Sequence, residues 1–351
     1  AAPITARQGH RGDIVVATQG RSFWVLDDLT PLRELAATPA VTGPRLFTPR
    51  DAARGIEELP FGFELDHARP ETLPFGALVH YLLPAKVDAE VMLEIRDASG
   101  ALVQRFSSDS ARADSLKTTR LKADQGLHRV AWDLTWPGPV PPKGVLGGGP
   151  GVKAVPGAYT VHLAVGRATQ SRPFRVTGDP REPGISQADY EEQYRVTRAV
   201  RDTMDAMYRS VERIRGAKEQ VKALLARAKE AGRDAGAAGS LGDSLTARLS
   251  AIEEELIQVK IQSGQDALRF PGKLDAQYGA LLGYLAGTGG YNAGSAEGRP
   301  PQGAYDRLRD LEPRWNDIRA RLETIWTRDL AAFNREVEAR GLGGVVVREV
   351  S

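Results

Sequence analysis

Cysteine is absent from the 351 residues. That excludes disulfides, thiolate metal sites and a cysteine nucleophile, and it fits either an oxidising or a reducing compartment. An excess of either charge is absent too: 47 Lys and Arg face 45 Asp and Glu, a formal net charge of +2. Such a balance projects no strong field toward nucleic acid or an anionic membrane. No apolar run approaches the roughly 20 residues that span a bilayer, so no transmembrane segment is expected. The opening AAPITARQGH lacks the apolar core of a signal peptide, and the chain reads as a soluble, mature or trimmed piece.

The motifs of common chemistries are missing as well. The histidines, His10, His67, His80, His128 and His162, match neither HExxH nor a pair four apart on a helix. Gly147, Gly148 and Gly149 follow no strand-to-helix turn of the phosphate-binding type, no GxxxxGK[ST] is present, and no serine lies in a GxSxG elbow. Glu253, Glu254 and Glu255 read as a solvated helix face. The arginines of one long helical segment, Arg195, Arg198, Arg201, Arg209, Arg213 and Arg215, alternate with Asp202, Asp205 and Glu212, the pattern of a solvated, ion-paired face. Trp315 and Trp326 fall at helical spacing among Leu and Ile and read as core. The expectation is no catalytic residue, no cofactor-binding residue and no metal ligand in this chain, hence no cofactor.

What is present divides sharply near Pro180. Before it come short alternating or apolar runs bounded by Gly, Pro, Asp and Ser: ALVHYLLP, EVMLEIRD, LVQRFSS, HRVAWDLTW, AYTVHLAV and SRPFRVTG. They predict about six strands between Phe75 and Gly178, with a hairpin at Ala98-Ser99-Gly100, and hence an antiparallel sandwich. Pro137 to Gly157, dense in Pro and Gly, reads as a long surface loop and a disordered connection.

After Pro180 the period becomes helical. Ser186 and Asp189 form an N-terminal signature before apolar positions from Tyr190 to Leu225, and Leu245 to Val259 supplies an antiparallel partner helix. A shorter helix holds Leu274 to Leu285. A fourth runs from about Tyr305 to Ala339, with Leu308, Leu311, Trp315, Ile318, Leu322, Ile325, Leu330, Phe333 and Val337 on its stripe. GTGGYNAGSAEGRPPQG between the third and fourth reads as a flexible loop, and VVVREV as a short final strand. The first and fourth stripes, on the order of 40 and 35 residues, would be some 50 to 60 Å long. Part of that length is available for a homo-oligomeric contact through the helical bundle or for the parent protein's propeller.

The segment GDIVVATQGRSFWVLDD, Gly12 to Asp28, predicts two adjacent strands with Gly20 at their tight connection. Together with GPRLFTPRDA it resembles the last blade of large bacterial proteins with sortilin-type, BNR-repeat β-propellers, often described as glycosyl hydrolase-like or exo-sialidase-like. WDLTWPGP (132–139), GPGVKAVPGAYTVHL (149–163) and LRFPGKLDAQYGALLGYL (268–285) look like later landmarks of that family's C-terminal region, in order. The sequence departs from the family pattern at Gln19, where a His is common. The resemblance implies an extracytoplasmic location, whether secreted, periplasmic or cell-surface.

The fold expected is multidomain α+β: a β-propeller blade remnant and linker over 1–60, an Ig-like or fibronectin-like antiparallel β-sandwich over 61–180, and an antiparallel helical bundle with a short C-terminal strand over 181–351. The opening strands read as a severed end that either pairs with the upstream propeller segment of the same protein or is accommodated irregularly against the sandwich. Asp27 and Asp28 are the nearest thing to the paired carboxylates of glycoside hydrolysis. As neighbours on a strand they point to opposite faces, so one is expected to cap the turn that follows and the other to end the strand. The function expected is a non-catalytic scaffold and interaction portion that packs on and presents the propeller. The alternative is an accessory carbohydrate-binding part of a BNR-repeat glycoside hydrolase, with a glycan as partner. An exposed aromatic row on a sandwich face would favour the alternative, whereas Trp132 and Trp136 buried would favour the scaffold.

Overall fold

The computed structural model describes residues 3–10, 12–55, 74–233, 235–261, 263–287 and 297–347. Its strands are β1 (Ile4–His10), β2 (Asp13–Thr18), β3 (Phe23–Leu26), β4 (Arg45–Leu46), β5 (Ala52–Ala53), β6 (Ala77–Leu83), β7 (Val91–Asp97), β8 (Leu102–Ser107), β9 (Gly126–Trp132), β10 (Thr135–Trp136), β11 (Val152–Lys153), β12 (Gly157–Val165) and β13 (Ala168–Thr177). Its helices are α1 (Thr30–Ala37), α2 (Ser110–Leu116), α3 (Gln187–Glu230), α4 (Ala237–Leu256), α5 (Leu274–Ala286), α6 (Gln302–Thr324) and α7 (Ala331–Ala339). The protein is therefore mixed α+β, and it forms two compact units: Ala1–Pro137 with Lys153–Glu191, and Gly138–Val152 with Glu192–Ser351.

In the first unit the sheets order as β1-β2-β3, β4-β6-β9 and β5-β13-β12-β7-β8. Alternation decides which residues face inward: β7 and β12 bury every second side chain, Val91, Leu93 and Ile95 on one and Tyr159, Val161, Leu163 and Val165 on the other. Trp132 of β9 meets Tyr159 of β12 at 5.4 Å and Phe174 of β13 at 6.1 Å between ring centroids, so these two sheets share one aromatic core. The hairpin cue is realised between β7 and β8, where Asp97 Oδ1 accepts from the Ser99 and Ala101 N–H groups and Gly100 adopts φ +82. The brief strands β4 and β5 carry no period of their own, and β5 joins β13 in parallel.

In the second unit α3, α4, α5, α6 and α7 bury their stripes in one continuous core that includes Met204, Met207, Leu249, Tyr278, Leu311 and Phe333. Among the described residues, the exposed large apolar side chains of this unit are Val140, Leu146, Val259, Leu268 and Val346, all off these helices. The stripes are thus covered within the unit. The expected fourth helix is α6, a π-helical turn at Ile325–Leu330, and α7. Stripe residues follow one another at intervals of three and four except from Ile325 to Leu330, where the interval is five. The wide turn absorbs that one residue.

Two expectations change. The Pro/Gly-rich segment is no disordered connection. Its stretch Gly138–Val152 belongs to the helical unit, where the Gly148 N–H donates to Tyr208 Oη at 2.9 Å and Arg215 donates to the Lys143 carbonyl at 2.7 Å. A Cβ on Gly149 would lie 2.7 Å from Leu282 Cδ2, so this glycine lets backbone seat on α5. Composition signals the lack of a helix or strand; it carries no information about side chains elsewhere that satisfy the loop. The second change concerns the final strand: Val345 and Val346 pair with amide side chains instead of a sheet. Asn334 bonds both the N–H and the carbonyl of Val345, and Gln220 does the same for Val346. Residues 348–350 of the expected strand and Thr288–Ala296 of the expected flexible loop lie outside the described residues.

Candidate interaction surface

The opening ribbon has three strands, not two. The first strand, β1, lacks the apolar alternation that marks the other two, yet it pairs antiparallel with β2 from Arg7–Val16 to His10–Asp13. The strand β3 pairs with the other edge of β2, Val25 against Val15 and Trp24 against Val16. The connection between β2 and β3 uses Gly20 at φ +79 and closes with the Thr18 N–H on the Ser22 carbonyl at 3.1 Å.

What distinguishes this sheet is exposure. Phe23, Trp24, Val25 and Leu26 are 73%, 62%, 62% and 49% exposed. Successive residues of a strand point to opposite faces, so four consecutive exposed apolar side chains mean that neither face of β3 is covered. The outer backbone edges of β1 and β3 are unpaired among the described residues. An exposed apolar edge such as that of β3 pairs readily with further strands.

Carboxylates hold the ribbon to the rest of its unit. Asp13 Oδ1 accepts the Asp28 N–H at 2.9 Å and Arg50 at 2.6 Å; the donated N–H first, and Arg50 with it, hold the Asp13 carboxyl below its ordinary range despite some burial. Asp27 pairs with Arg129 of β9 at 2.6 Å. Asp28 adopts φ 52, its Oδ1 accepts the Thr30 N–H at 3.0 Å at the start of α1, and its Oδ2 lies 3.5 Å from Nδ1 of buried His80 on β6. His80 and Arg129 are themselves cross-strand partners. Burial outweighs the attraction of Asp28 and pushes the His80 imidazole below its ordinary value, so the neutral form is favoured.

The remaining residues weighed for chemistry are dispersed. His10 is exposed on β1, His128 Nε2 contacts the Asp124 carbonyl at 2.7 Å, His162 stands opposite Glu94 on paired strands, and His67 lies outside the described residues. Among the described residues no three His, Asp or Glu side chains gather where they would hold a metal ion. Asp27 and Asp28 diverge to different partners, Arg129 for the one and the Thr30 N–H and His80 for the other. Glu253 is not part of a solvated face: it is buried, with Arg215 at 2.6 Å and Lys218 at 3.0 Å, while Glu255 pairs with Arg321. Its stripe position on α4, one residue after Ile252, carries it inward. Of the arginines singled out on α3, Arg195, Arg198, Arg201 and Arg215 are ion-paired as expected, but Arg209 and Arg213 have no ion pair among the described residues. Trp315 is core, whereas Trp326 is only half-buried.

Neither the comparison with protein-family models nor the comparison with curated proteins returns a match.

Proposed function

We propose that this chain is a non-catalytic scaffold and interaction portion of a secreted or cell-envelope propeller protein, whose β1-β2-β3 sheet completes a blade with the upstream propeller segment of the same protein. The observation that carries this reading is the two-sided exposure of Phe23 to Leu26. A propeller blade is a four-stranded antiparallel sheet with neighbouring blades on its faces, and a three-stranded meander with bare apolar faces and free edges suits that setting. The carboxylate contacts to Arg50, Arg129 and His80 would fix the blade to an Ig-like sandwich formed by the other two sheets of the unit, and the helices would make up the antiparallel bundle. The location outside the cytoplasm rests on the sequence resemblance alone.

The accessory carbohydrate-binding reading draws less support. The large aromatics of β6 to β13 are turned inward, with Tyr81, Trp132, Trp136, Tyr159 and Phe174 all buried. The outward positions around β7 and β8 carry instead the network Glu94, Arg96 and Arg105. An oligomer built on the helical stripes also draws no support, because those stripes are covered within the unit.

Intact-mass analysis and peptide mapping of the natively purified protein tests the proposal. Recovery of this chain in a stoichiometric complex with a propeller segment of its own protein is the expected result. A chain that occurs alone, folded and monodisperse, with Phe23 to Leu26 accessible to labelling, would end it.

A further inference from the structure

The helical unit contains a cleft that none of the preceding roles uses. It has a volume of about 340 Å³ and lies between α3 and the α6–π-turn segment. Arg209, Arg213, Arg319 and Glu323 line it together with the indoles of Trp315 and Trp326. The size suits one ring-sized ligand.

Its charge is unlike that of the surrounding surface. Of the other α3 arginines, Arg195, Arg198, Arg201 and Arg215 are neutralised by Glu192, Asp202, Asp205 and Glu253, while Arg227 donates to the Ala223 carbonyl of its own helix. Among the described residues neither Arg209, Arg213 nor Arg319 in the cleft forms an ion pair, and Glu323 has none either. Three guanidinium groups and one carboxylate leave an excess of two positive charges over an aromatic floor. The Arg213 guanidinium lies 5.6 Å from the centre of the Trp326 ring, which holds it in place by a cation–π contact. Two buried donors there have no partner: Nε of Arg213 and Nε1 of Trp326. A buried donor without an acceptor is costly and uncommon, so a small rotation of either side chain that met an acceptor in the cleft would be favourable. Trp326 sits in the π turn, and such turns are frequent at functional sites.

We propose that this cleft binds a hydroxylated ring bearing an anionic group, a carboxylate or a phosphate. The guanidinium groups match such an anion through paired N–H donors, the indole of Trp326 supplies a flat surface for the ring, and Glu323 accepts from a ring hydroxyl. Both anions share this chemistry, and titration separates them.

The test is calorimetric titration of the full chain with glucuronate, glucose 6-phosphate, inorganic phosphate and glucose. Saturable binding of at least one of the two ring anions is expected, about tenfold or more tighter than either phosphate or glucose, as two charge-assisted contacts would give. Whichever ring anion binds identifies the anionic group. The same titration on R209Q and R213Q should show at least about a tenfold loss. R309Q, which alters an exposed pair with Asp306 on α6, should bind like the parent. Arg209 is exposed, so R209Q keeps the test valid should R213Q disturb packing. No binding of either ring anion, equal binding of phosphate or glucose, or binding indifferent to both folded variants would overturn the proposal.

Discussion

Asp28 and His80 face each other across 3.5 Å, both nearly withdrawn from solvent, where the opening ribbon meets the sheet that carries β6. The histidine is buried neutral beside a carboxylate, with Arg129 and Asp27 as the other charges around it. In the unfolded chain His80 takes up a proton near its ordinary 6.5, while the folded protein resists until lower pH. The unfolded state therefore binds more protons below about 6.5, and stability falls as pH drops through that window. Urea unfolding at pH 5.5 and 7.5 should show a smaller acid-side loss in His80→Gln than in the parent; an identical loss would refute the assignment.

Asp275 gives the opposite dependence. Burial raises its carboxyl from 3.8 to about 6, only partly offset by the Ala276 N–H donated to it. The folded state thus holds the proton more tightly, so stability falls as pH rises from about 4 to 6 and stays at the lower level above. Asp275→Asn keeps an acceptor for Ala276 and removes the charge. It should stabilise the protein at pH 7.5 by on the order of 2 kcal/mol, with the gain vanishing near pH 3.5, as read from denaturation midpoints.

Glu253 is buried between Arg215 and Lys218, which are partly exposed. Glu253→Gln leaves both cations without their counterion and should cost about 1–3 kcal/mol, less than a fully buried pair because solvent reaches the cations. In a double-mutant cycle with Lys218→Met the two losses should fall short of additive, and additivity would show that the pair does not interact.

Gly76 adopts φ +110, and a Cβ there would lie 1.9 Å from the Trp132 carbonyl oxygen. Since the obstacle is backbone, Gly76→Ala should destabilise by about 3 kcal/mol or more. Thermal unfolding would detect this as a large drop in Tm.

Val25→Lys separates folding from docking. Both faces of β3 are solvated, so unfolding should change by no more than about 0.5 kcal/mol. The proposed complex with a propeller segment should be lost, because a lysine would then enter the apolar blade contact that the proposal requires. A stable complex in the variant would place the docking surface elsewhere.

The sequence by itself determined the mixed α+β character, the six principal strands and the four helical stripes, because period two and period 3.6 are local properties of a chain. It also held the signal of the π turn, the five-residue interval from Ile325 to Leu330, and the expectation that one of Asp27 and Asp28 bonds the turn that follows, which Asp28 does as an Asx turn. Tertiary structure alone decided what had no period. The polar strand β1 exists because β2 offers it an edge, the glycine-rich segment is fixed because Tyr208 and Arg215 reach it, and the last valines are held by Gln220 and Asn334. It also decided which of many similar arginines are neutralised. Arg209 and Arg213 look like their neighbours in sequence, and only the packing of α3 against the turn that carries Trp326 leaves them in a cleft where arginines outnumber carboxylates.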